Sequence, residues 1–126
     1  ELLTPIYEDE SITHLSTFNQ QLIRRIAEYL DIETEFRNAS EFNVSSDRVG
    51  RLIAMCEMVG ADAYLSGPAA KDYITDEFDE IPIELKWMEY GPYDEYPQRS
   101  EPFSHYVSII DTIAMIGKST KQHIFG

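Results

Sequence analysis

The sequence has one cysteine, Cys56, in 126 residues, which excludes a disulfide framework and a thiolate metal cluster and fits a reducing compartment. Its apolar runs are short and broken by Asp or Arg, and none approaches the ~18 residues of a membrane span. A soluble, cytoplasmic domain is expected. Basic residues are also scarce: 10 Lys and Arg stand against 23 Asp and Glu, a formal charge of −13. Phosphate backbones and anionic lipid surfaces repel such a chain at long range, so neither nucleic acid nor membrane is an expected partner. His14, His105 and His123 form no His-x-x-x-His pair, and Asp76-Glu77-Phe78-Asp79-Glu80 lacks the spacing of a calcium loop. No metal is expected, and the acidic stretch reads as a solvated turn. The opening Glu1-Leu2-Leu3-Thr4-Pro5 has neither the charged start nor the apolar stretch of a secretory leader, so a processed or truncated start is expected.

What is present suffices for one core, since 43% of the residues are apolar and a chain of this size buries most of its surface on folding. Leu15, Phe18, Leu22, Ile26 and Leu30 recur at three- or four-residue steps and predict a helix over Ser11 to Leu30. Thr34-Glu35-Phe36 reads as a short strand. Ser45 or Ser46 then caps a second helix with Val49, Leu52, Ile53 and Cys56 on its inner face, and Gly60 ends it in a left-handed turn. Ala61 to Ser66 reads as a strand buried on both faces, and Pro68 suits the first position of a third helix. Ile81, Ile83, Leu85 and Trp87 alternate with Pro82, Glu84, Lys86 and Met88, the pattern of a half-exposed strand near a sheet edge. Gly91 to Pro102 is a loop, after which Ser104 caps a last long helix. This order predicts an α/β fold over residues 1–126, a small, mainly parallel three-stranded sheet flanked by helices, like half of a Rossmann fold. A sheet that small either suffices with its helices or takes further strands from outside this chain.

The stretch Tyr64-Leu65-Ser66-Gly67-Pro68-Ala69-Ala70-Lys71-Asp72-Tyr73-Ile74 places a hydroxyl, backbone N–H groups and a helix start at the carboxyl edge of the sheet, a geometry suited to an anion. Lys71, one of four lysines, lies one turn in, and a side chain at Gly67 would block close backbone approach. Tyr96-Pro97-Gln98 and Phe103 supply a ring and an amide that either grip a ligand or pack the loop down. His105, Ser108 and Asp111 follow at three-residue steps, a spacing that one helical face would align for proton transfer. An acid beside the apolar stripe of Val107, Ile110 and Ala114 has to be hydrogen-bonded or face a cavity. Gly117-Lys118-Ser119-Thr120 is not a phosphate loop, because Thr112 stands where the motif needs glycine and a helix precedes it. It reads as a helix end.

Together, the Tyr64 to Ile74 stretch, Tyr96-Pro97-Gln98, Phe103, Ser108-Ile109-Ile110-Asp111 and Gly117 resemble, in order and spacing, the C-terminal half of the WbqC-like family. Phe18-Asn19-x-x-Leu22-Ile23 and Arg51-Leu52-Ile53 are similar as well. The resemblance implies a bacterial cytoplasmic transferase acting on activated sugar or amino-acid conjugates in surface-polysaccharide or related biosynthesis. It implies further that this chain is the C-terminal part of a larger protein, because the Gln-Pro-x-Tyr-x-Pro-Trp signature of the family's N-terminal half is absent here. Family members commonly carry Phe-Asn before the last glycine, where this chain has Met115-Ile116. The candidate substrate contacts are Ser66, Gly67, Lys71, Tyr73, Tyr96, Gln98, His105, Ser108 and Asp111, for a small anionic or sugar-conjugate ligand. Neither a cofactor nor the catalytic residues can be named. The expected protein partner is the missing N-terminal half or a second copy. The rival reading is a non-catalytic α/β interaction or ligand-binding domain in which the same loops only brace the fold.

Overall fold

The computed structural model describes residues 1–126, and their contacts divide into two compact units, Glu1–Phe36 with Pro92–Gly126, and Arg37–Gly91. No helix is long and apolar enough to cross a membrane.

In the first unit α1 (Thr4–Tyr7) is followed by α2 (Leu15–Tyr29), and Tyr7 meets Phe18 edge-on with ring centroids 5.1 Å apart. The start of α2 falls at Leu15 rather than Ser11 for a local reason. The Ser11 N–H and hydroxyl both donate to Asp9 Oδ1, at 2.9 and 2.5 Å, and this turn competes with helix. Ala27 and Leu30 are buried, while Leu15, expected on the inner face, is 73% exposed. Beyond the helix Asp31 takes a positive φ of 52°. Lys118 Nζ donates to the Tyr29 carbonyl and, at 3.2 Å, to Asp31 Oδ2, while Lys121 Nζ donates to the Asp31 carbonyl at 2.7 Å. Two cations thus sit on the negative end of α2. They come from the segment after α4 (Ile109–Ile116), which ends at Gly117 with φ 57° and continues as a 3₁₀ turn into α5 (Thr120–Phe125). Gly117-Lys118-Ser119-Thr120 therefore lies at a helix end, as its context indicated.

In the second unit Asp47 caps α3 (Arg48–Met58), accepting the Gly50 N–H at 2.7 Å, so the cap is the residue after the two serines. Gly60 follows the helix with φ 67°, the left-handed turn its position called for. The chain then forms β1 (Ala63–Ser66) and, after a 3₁₀ turn at Pro68–Asp72, β2 (Glu84–Trp87). The strands are parallel, pairing Ala63 with Glu84 and Ser66 with Trp87. Tyr64, Leu85 and Trp87 pack on a core of Val49, Cys56, Ala70, Ile74, Phe78 and Ile83.

Three expectations need correction. The sheet has two strands, not three, because Thr34-Glu35-Phe36 finds no ladder partner; instead Arg24 Nη2 donates to the Phe36 carbonyl at 3.4 Å with its guanidinium over the Phe36 ring. The helix at Pro68 is a five-residue 3₁₀ turn, which closes when the N–H groups of Tyr73 and Ile74 both donate to the Ala70 carbonyl and Ile74 drops into the core. β1 is covered on one face only, since Leu65 is 54% exposed.

Candidate functional site

The densest polar arrangement joins Tyr96, Gln98, Asp111 and Thr112 in the first unit. The Tyr96 hydroxyl donates to Asp111 Oδ2 at 2.8 Å and accepts from Thr112 Oγ1 at 3.2 Å. Gln98 Nε2 lies 3.2 Å from the same Asp111 oxygen and 3.3 Å from the Tyr96 hydroxyl. The amide of Gln98 also spans a backbone: its Oε1 accepts the Ser104 N–H at 2.9 Å, and its Nε2 donates to the Ser104 carbonyl at 3.0 Å. This clamp explains another departure from expectation. The clamp occupies the Ser104 carbonyl, the group that a helix starting there would use for its first intrahelical bond. The helix begins under Ser108, whose Oγ accepts the Ile110 N–H at 3.2 Å.

Asp111 accordingly meets the requirement set by its apolar neighbours, with two donors converging on Oδ2. Oδ1 receives no hydrogen bond from the protein and is the open acceptor of the network. Around Tyr96 the rings pack edge-on, Phe103 at 5.2 Å and His123 at 5.4 Å, with His105 at 4.8 Å from Phe103. On the same helix Ile110, Ile113 and Ala114 line a cavity of about 730 Å³ together with Leu3, Tyr7 and Tyr29.

Of the expected site residues, Tyr96, Gln98 and Asp111 come together. His105 does not join them through Asp111; it packs on Phe103, outside the helix. Ser108 serves as the cap. Thr112, Ser104 and His123 were not foreseen. Thr112 had a usable signal, because a hydroxyl beside Asp111 on a buried helical position needs a partner of its own.

Ser66, Gly67, Lys71 and Tyr73 lie in the second unit. Ser66 is buried at the end of β1, paired in register with Trp87, and Lys71 Nζ lies 5.3 Å from the centre of the Trp87 ring. Tyr73 carries the Arg48 guanidinium over its ring at 3.4 Å. Gly67 has ordinary extended geometry, φ −70° and ψ 151°, and an added Cβ would meet only the Tyr90 hydroxyl, at 3.6 Å. The backbone there does not require glycine.

The model of the WbqC-like protein family matches residues 1–123. The chain belongs to this family. The chain is also similar to Rv1507c of Mycobacterium tuberculosis (strain ATCC 25618 / H37Rv), a protein described as uncharacterized, with 33% identity over 123 residues. That alignment covers 97% of this WbqC-like chain and 53% of the relative, so the chain spans about half the relative's length. No solved structure matches.

Proposed function

We propose that this WbqC-like chain is part of a bacterial, cytoplasmic transferase acting on activated sugar or amino-acid conjugates in surface-polysaccharide or related biosynthesis, and that Asp111 contacts the substrate. The observation that carries the proposal is the one-sided saturation of the Asp111 carboxylate. Tyr96 and Gln98 hold Oδ2 and fix the group, while Oδ1 stays open to a hydroxyl or amine, the donors that sugars and amino acids present. A carboxylate held in this way orients a nucleophile or accepts its proton. The cavity on α4, within the ~300–1,000 Å³ range of small-molecule sites, is lined by Ile110, Ile113 and Ala114 and not by Asp111, so the contact rests on the carboxylate alone. An anion contact at Ser66, Gly67 and Lys71 has weaker support, because a five-residue 3₁₀ turn has little dipole and the Lys71 ammonium is already placed on Trp87. The same reading takes the two parallel strands as part of a Rossmann-like sheet.

One observation favours the rival, a non-catalytic domain braced by these residues: the Gln98 amide is satisfied at both ends by the loop itself. Titration calorimetry with a panel of nucleotide-activated sugars and free amino acids separates the two. Asp111→Asn should weaken binding of the recognised compound about tenfold or more, the worth of a hydrogen bond to a charged group. If no compound binds, or the variant binds as the parent does and only melts earlier, the network is a brace.

A further inference from the structure

A two-stranded parallel sheet covered on one face is rare, because parallel strands are joined by crossovers that bury both sides and sheets gain independent stability with three or more strands. Here the register shows which groups remain open. Glu84 N–H donates to Asp62 O and Met88 N–H to Ser66 O, both at 2.8 Å. The even-numbered residues of β1 therefore point their backbone groups at β2. Ala63 and Leu65 point theirs the other way, and no other element takes them up. Ala63 and Leu65 also carry the outer-face side chains of β1, both apolar. The other strand is different: Pro82 precedes β2, and Glu84 and Lys86, in register with Ala63 and Leu65 and paired at 2.9 Å, place charge on its outer face. Charge and proline are what block strand addition at an edge. One edge is guarded and the other is not.

We propose that the β1 edge at Ala63 and Leu65 accepts a further β-strand from the second stretch of chain that longer WbqC-like polypeptides carry. The length of the mycobacterial relative, of which this chain matches only 53%, supplies such a stretch. The added strand pairs with the outward N–H and C=O groups of both residues and covers Leu65, so the sheet reaches three strands. The inference rests on family membership and not on the transferase reading, and its test involves no activity.

Amide hydrogen exchange decides it. In this chain alone, Ala63 and Leu65 should exchange at least tenfold faster than Tyr64 and Ser66, whose amides face β2. In the full-length mycobacterial relative, the two aligned amides should slow at least a hundredfold relative to the segment that matches this chain. Equal exchange in the relative and its segment would overturn the proposal. So would protection in this chain that rises with its concentration, since a second copy would then occupy the edge. Proline at the position aligned with Leu65 removes only an outward N–H, and in the relative it should abolish the protection at the Ala63 position while the amides facing β2 stay slow. Unchanged protection with that proline present would show that the edge is covered without a strand.

Discussion

The unit formed by residues 37–91 closes on an apolar core, whereas the unit formed by residues 1–36 and 92–126 closes on side-chain hydrogen bonds that join distant stretches of chain. In the first case Val49, Cys56, Ala70, Ile74, Phe78 and Ile83 are buried together, and polar bonds such as Asp47 on Gly50 stay local. In the second, few large apolar side chains are buried, and Lys118 reaches Tyr29 across 89 positions while Tyr96 reaches Asp111 across 15. The difference follows from connectivity. A continuous segment buries apolar surface as it collapses, but a unit made of two separated segments also bears a loop-closure entropy and needs directional contacts that fix which residues meet.

The largest expected effect tests the apolar side of this comparison. Phe78 is 6% exposed and stacks on Tyr64 with centroids 5.6 Å apart and planes 11° from parallel. Phe78→Ala should cost about 3–5 kcal/mol in denaturant melts, the usual price of an aromatic removed from a core. Cys56 reports on the same core, because burial pushes its thiol above the ordinary range and keeps it protonated and unreactive. Alkylation of Cys56 should become far faster in the variant. If Cys56 were labelled no faster, this core would not be what holds the unit.

Two glycines, one in each unit, give a medium-sized contrast. Gly117 has φ 57° and ψ −132°, a region that side chains strongly disfavour, yet an added Cβ would meet nothing closer than the Tyr29 hydroxyl at 3.6 Å. Gly117→Ala should therefore cost about 1–3 kcal/mol through the backbone alone. Gly67→Ala has the same 3.6 Å clearance without the positive φ. It should change stability by less than about 0.5 kcal/mol, as a surface substitution does. Thermal melts of the two variants side by side check this, and equal losses would remove the conformational argument.

Where the sequence was readable, the information was local. The periodic faces of α2 and α3, the Gly60 turn and the strand before Ser66 each follow from neighbouring residues. The parallel pairing of β1 and β2 followed from the order of elements. Apart from the helix starts at Ser11 and Ser45 or Ser46, which local bonds to Asp9 and Asp47 moved, the failures involve a partner remote in sequence or a missing one. Thr34 to Phe36 has strand composition but no ladder to join. Ser104 is as good a cap as Ser108, and only the Gln98 clamp decides between them. Leu15 fits the helical stripe of α2 and still lies in solvent. At the candidate site, the need of Asp111 for donors was legible from its apolar neighbours. That Tyr96 and Gln98 supply them, and that His105 turns to Phe103, depended on how the loop from Pro92 folds back.

The last expected effect has the opposite sign and probes a flaw in the polar-bonded unit. Thr120, the first residue of α5, is fully buried, and its Oγ1 has no hydrogen-bond partner. A hydroxyl taken from water without compensation costs about 1–3 kcal/mol. Valine has nearly the same shape and no such group, so Thr120→Val should raise stability by about 1 kcal/mol, a gain of roughly 2–5 °C in Tm for a chain of this size. Thr120→Ser keeps the hydroxyl and loses the methyl, leaving a small void, and should lower stability by about 1 kcal/mol. The pair separates hydroxyl from methyl at one position. If valine proves less stable than threonine, the hydroxyl is satisfied in solution by a buried water, and even this residue belongs to the hydrogen bonding that holds the unit together.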